Sequence, residues 1–104
     1  MEEQVVVIYR TFLAGNRDAI ALFPEIPCND TLIQSYQHVG QHGGASLNLL
    51  LALTRRATAK ETEVLSGELQ QIGYTNLRPV LRVSAKMRRK RDEAWNHILQ
   101  GEVK

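Results

Sequence analysis

"QVVVIYRTFLAGNRDAIALFPEIP", residues 4–27, decides how the rest of the chain must be arranged. Residues 4–13 are rich in β-branched and aromatic types, which suit a pleated surface. "AGNRD" follows with turn chemistry, and "AIALF" at 19–23 resumes the strand pattern. Together they predict an antiparallel hairpin closed by a loop of about four or five residues around Gly15 and Asn16. Pro24 and Pro27 lack the ladder donor and restrict the residue before each, so the second strand is expected to end there and lead into an irregular connection.

Outward from the hairpin, "LIQSYQHV" at 32–39 alternates so that Gln34, Tyr36 and His38 share one face. "SLNLLLALT" at 46–54 places Leu47, Leu49, Leu51 and Leu53 together at strand period. A short helix also fits, but the brevity of the segment and its flanking turn signals favour a strand. "TAKETEVLSGELQQIGY" carries the clearest signal. Thr58 and Glu61 form an S/T-x-x-E capping box, Val64, Leu65, Leu69 and Ile72 make an apolar stripe, and Gly73 supplies a left-handed stop. A helix over about 59–72 follows.

"NLRPVLRV" returns to the strand pattern, with Pro79 arguing for an edge or a bulge. Ser84 is an N-cap candidate for a last helix reaching about Leu99. Its stripe is Met87, Ala94, Trp95, Ile98 and Leu99, with Arg91 as the interruption. The expected order is ββββαβα: an α+β single domain with a mostly antiparallel sheet of about four or five strands. Residues 1–83 form its core and 84–104 a basic C-terminal helix.

The 104 residues, 43% hydrophobic and 23% charged, suit one packed core. "VVVIY" and "LLLAL" fall far short of the roughly 20 apolar residues that span a bilayer, so no membrane partner is expected. The acidic "MEEQ" start is unlike a signal peptide, and the single Cys28 makes no internal disulfide. The expected compartment is the cytoplasm, and no cofactor is implied.

At "IALFPEIP" (20–27), "SYQHVGQHG" (35–43) and "ATAKETEVLSGELQQIGY" (57–74), the chain resembles a family of small uncharacterised bacterial proteins. Members share ALFPEIP-like and SYxHxGQHG-like segments and a helix ending in IGY. The resemblance covers roughly residues 5–83 and implies no reaction, ligand or partner. The basic tail lies outside it.

Two constellations carry chemistry. In "SYQHVGQHGGAS" (35–46), His38 and His42 are four apart, a spacing that binds zinc when a helix presents both. Gly40, Gly43 and Gly44 argue against a helix, and a zinc site needs a third ligand from Glu25, His97 or Cys28. An acid–base site using His38, His42, Glu25, Gln41 and Tyr36 is the enzyme reading, with glycine amides as anion donors. No nucleophile has a recognisable setting, since Ser35, Ser46 and Cys28 lack the flanking residues of known motifs. A turn with satisfied polar groups is the preferred reading, and no metal is assigned.

The second constellation is charge. Residues 1–77 carry a net charge of −3 and residues 78–104 carry +5. Between Arg78 and Arg91 there are seven basic side chains (Arg78, Arg82, Lys86, Arg88, Arg89, Lys90, Arg91) and no acidic one. Cations at a helix start oppose the macrodipole, so they do not serve local helix stability. Nucleic acid is the polyanion expected to explain them, through phosphate contacts with little base readout. A solvated or core-docking helix, and a homodimer arm using Trp95, Ile98 and Leu99, are the other readings. The functional expectation is a small binding or regulatory module, with a small enzyme or ligand-binding protein as the rival.

Overall fold

A computed structural model describes residues 4–15, 17–37 and 41–102. Among these residues, six strands and three helices follow the order ββββαβαβα: β1 (Val5–Phe12), β2 (Ala19–Pro27), β3 (Ile33–Gln37), β4 (Gln41–Ala45), α1 (Leu47–Leu53), β5 (Thr54–Arg56), α2 (Ala59–Gln71), β6 (Leu77–Pro79) and α3 (Ala85–Glu102). The sheet runs β4-β3-β2-β1-β5, with β6 also on β1, and among the described residues only the β1–β6 pair is parallel. This is the α+β single domain, mostly antiparallel, that the sequence pattern implies.

The hairpin forms as expected, with Ile8 opposite Leu22 and Thr11 opposite Ala19. Gly15 takes φ +71°, and the Phe12 amide donates to the Asp18 carbonyl at 3.0 Å, closing the loop. β1 is buried on both faces, which is why "VVVIY" is a continuous apolar run and not an alternation. On one face Val7, Tyr9, Ala21, Phe23 and Tyr36 pack under Leu65 and Leu69 of α2. On the other, Ile8, Ile20, Leu22, Ile33 and Ala45 pack under Leu47 of α1, with Val80 and Val83 at the margin.

The prolines do not end the second strand, which continues to Pro27. Between Phe23 and Pro27, β2 advances four residues while β3 advances one, a bulge that leaves Pro24 without a ladder bond to miss. Pro24 and Glu25 consequently face the same side, and Ile26 returns to the α2 core.

The segment expected as a fourth strand at 46–54 is instead α1, followed by the three residues of β5. Leu47 is buried and Leu50 and Leu51 are half-buried, while Leu49 and Leu53 are exposed. That is i, i+3, i+4 spacing, and a run of leucines has high helix propensity. Arg10 supplies what the sequence pattern lacks. Its guanidinium donates to the carbonyls of Leu51 (3.2 Å) and Thr54 (2.7 Å), pairing oxygens that a helix end leaves open.

α2 matches its expected span. The Glu61 amide donates to Thr58 Oγ1 (3.2 Å) and the Thr58 amide to Glu61 Oε1 (2.8 Å), so the capping box is complete. Gly73 stops the helix at φ +117°. Of the predicted stripe only Leu65 and Leu69 are buried; Val64 lies on the outer flank and Ile72 past the last turn, both exposed. β6 is shorter than the 77–83 pattern suggested. The Val5 amide donates to the Asn76 carbonyl and the Val80 amide to Val7, so alternate residues bond β1 and Pro79 turns its missing donor outward.

α3 starts where expected, since the Met87 amide donates to Ser84 Oγ at 3.2 Å. It lies against β2 on the side opposite α2 and is tied to α1 by the Arg88 Nη2 to Asn48 Oδ1 bond of 2.9 Å. Met87 and Arg91 are its buried positions, Ala94 and Trp95 are half-buried, and Ile98 and Leu99 remain exposed.

Candidate functional site

The glycine-rich segment expected as a turn is strand β4, antiparallel to β3 with Tyr36 opposite His42 and Ser35 opposite Gly43. His38 and Gly40 lie outside the described residues. Tyr36 is fully enclosed, its hydroxyl donates to Glu68 Oε1 at 2.8 Å, and its ring meets the His42 ring edge-on at 5.0 Å. His42 is exposed beside Ile72, Gly73 and Tyr74 on the α2 side of the sheet. Gln41 stands opposite Gln37 at the start of β4.

Glu25 is on the other side. The bulge turns it into a cleft of about 830 Å³ between β1, β2, β6 and α3, together with Arg78, Lys90, Glu93 and His97. The sheet therefore separates Glu25 and His97 from His42 and Tyr36. No group of three or more His, Cys, Asp or Glu among the described residues is placed to hold a metal. Ser35 donates its hydroxyl to the Gly43 carbonyl (2.9 Å), Ser46 precedes α1, and Cys28 is half-buried against Gly44. Glu68 beneath Tyr36, and Glu93 and His97 in the same cleft as Glu25, are placements that the sequence pattern does not show, since each joins residues of different elements.

The seven basic residues divide into two groups. Arg91 is 9% exposed. Its Nη2 donates to the carbonyls of Asn29 and Leu32, and its Nη1 meets Asp92 Oδ1 at 2.6 Å. Arg91 thus pins the 28–32 connection beneath α3, and its place in the apolar stripe is a structural post. Arg88 is held by Asn48. Arg78, Arg82, Lys86, Arg89 and Lys90 are exposed on β6, the following connection and the first turns of α3. The first turn of α3 carries no acidic residue, and Arg78 and Lys90 border the same cleft.

Lys86, Arg89 and Lys90 lie three and four apart, which sets them on one helix face. That face is turned away from the Met87 and Arg91 side. Five basic side chains are thus exposed, three of them on one face of α3 and Arg78 beside Lys90 at the cleft.

Comparison with protein families, with curated proteins and with solved structures found no match.

Proposed function

We infer that this domain is a small cytoplasmic binding module that engages a nucleic-acid backbone through Arg78, Arg82, Lys86, Arg89 and Lys90. The observation that carries the reading is the division of the basic run: Arg88 and Arg91 are bonded within the fold, while five stay exposed, with Lys86, Arg89 and Lys90 on one face of α3 and Arg78 beside Lys90 at the rim of the cleft. Side chains of this kind bind phosphates by charge and counterion release, giving affinity with little base preference. Glu25 and Glu93 border the cleft beside Lys90 and bound the positive surface on that side.

The test is fluorescence-anisotropy titration of labelled single- and double-stranded oligonucleotides. Replacing Arg82, Lys86 and Arg89 together by Ala is expected to weaken binding by about tenfold or more at low salt, with the circular dichroism of the fold retained. Affinity equal to that of the unaltered protein rejects the assignment.

A further inference from the structure

The two edges of the sheet are built differently. On the β1 side, β5 and β6 are three residues each and carry Arg55, Arg56 and Pro79, all of which resist pairing with a further strand. At the opposite edge β4, "QHGGA", has no charge and no proline, and among the described residues it pairs only with β3. His42, Gly43 and Gly44 are exposed there. An uncharged edge strand presents a row of open backbone donors and acceptors that another strand satisfies.

We propose that β4 is a homodimerisation edge, at which two copies of this chain pair β4 with β4 antiparallel about a two-fold axis at Gly43. In that register Gln41 stands across from Ala45 of the second copy, His42 from Gly44, and Gly43 from Gly43. Each imidazole then stands across from a glycine, a register that sets no two large side chains directly against each other. A Cβ at Gly43 would meet no atom within 4 Å, so the sheet face at the two-fold position has room for a side chain. Gly44 is covered within its own copy by Cys28 Sγ and Leu32 Cδ1, each 3.0 Å from where its Cβ would stand. Those groups meet the incoming His42, behind which Ile72 (51% exposed) and Tyr74 line a depression of about 480 Å³.

The strand's own composition selects the occupant. An uncharged edge gives a charged peptide no complementary partner, whereas a second copy supplies every contact twice. The protected opposite edge stops the assembly at two. A five-residue pair is about 17 Å long, small against the roughly 800 Å² per partner of a standard interface, so the dissociation constant belongs in the micromolar range.

The test is sedimentation equilibrium over micromolar to sub-millimolar protein. The unaltered chain is expected to rise from 11.8 kDa to twice that mass with concentration. Gly43→Lys places like charges opposite each other at the axis and is expected to hold the mass at 11.8 kDa throughout, while its side chain enters open space in the monomer and leaves the circular dichroism unchanged. Amide exchange of residues 41–45 in the unaltered chain provides a second readout, slowing as concentration rises. A constant 11.8 kDa mass overturns the proposal. So does a doubling that survives Gly43→Lys, which would move the interface to Ile98 and Leu99 of α3, or a mass that grows past two copies.

Discussion

Replacing Arg91 by Ala separates a residue that builds the fold from one that meets a ligand. The substitution removes two buried methylenes beyond Cβ, about 1.6 kcal/mol at roughly 0.8 kcal/mol each. It also removes the charged donor of the Asn29 and Leu32 carbonyls, about 2 kcal/mol, and the Asp92 pair, about 0.5 kcal/mol because Asp92 is 65% exposed. Against these stands the relief of Arg91 Nε, which is buried without a partner and costs about 1–2 kcal/mol in the native state. The net loss is about 2–3 kcal/mol.

For a domain of this size that is a fall in urea midpoint of about 1–2 M. Arg91→Met keeps the apolar stem and drops the orphaned Nε, so it is expected to lose only about 1 kcal/mol. Arg89→Ala, on the exposed face, is expected to stay within about 0.5 kcal/mol of the unaltered protein. Urea titration followed by Trp95 fluorescence and circular dichroism reads all three. Equal midpoints for Arg91→Ala and Arg89→Ala would refute the structural role of Arg91.

The helix cap and the β4 glycines give further expectations. Thr58→Ala removes one arm of the capping box and is expected to cost about 1 kcal/mol, lowering Tm by roughly 4–8 °C in a thermal melt. The bidentate Arg55 guanidinium, then the Thr58 amide, hold the Glu61 carboxyl at about 2, below its ordinary 4.5. A carboxyl lowered on folding stabilises the protein above its unfolded pKa, and that contribution is lost as pH falls from about 4.5 to about 2. Arg55→Ala should flatten the acid limb of a pH–stability profile; an unchanged limb would assign it to other groups. Gly44→Ala forces Cys28 and Leu32 apart and is expected to cost about 1–2 kcal/mol by urea titration, whereas Gly43→Ala, facing open space, is expected to be neutral or slightly stabilising.

What the sequence made legible is local. The capping box was readable because Thr58 and Glu61 are three residues apart, and the first hairpin because turn residues stand between two β-branched runs. At α1, leucines at 47, 49, 50, 51 and 53 satisfy both the strand and the helix period. Only the core beneath Leu47 chooses between them. The prolines lack a ladder donor and so predict a strand end, but a bulge absorbs that defect and the strand runs on to Pro27. Arg91 showed only as an interruption of an apolar stripe, because its carbonyl partners are 62 and 59 residues away. The separation of Glu25 from His42 was equally hidden, since it depends on the bulge that turns Glu25 to the α3 side.

The salt dependence of nucleic-acid binding tests the central claim most directly. Five exposed cations contacting duplex phosphates predict a slope of log K against log salt of about −3 to −4.5, and the Arg82, Lys86 and Arg89 triple alanine variant should lose about 2.7 of it. A slope of that size, reduced in the variant while the fold persists, is the expected result. No binding at low salt, or a slope unchanged by removing the three side chains, would contradict the assignment of this surface to a nucleic-acid backbone.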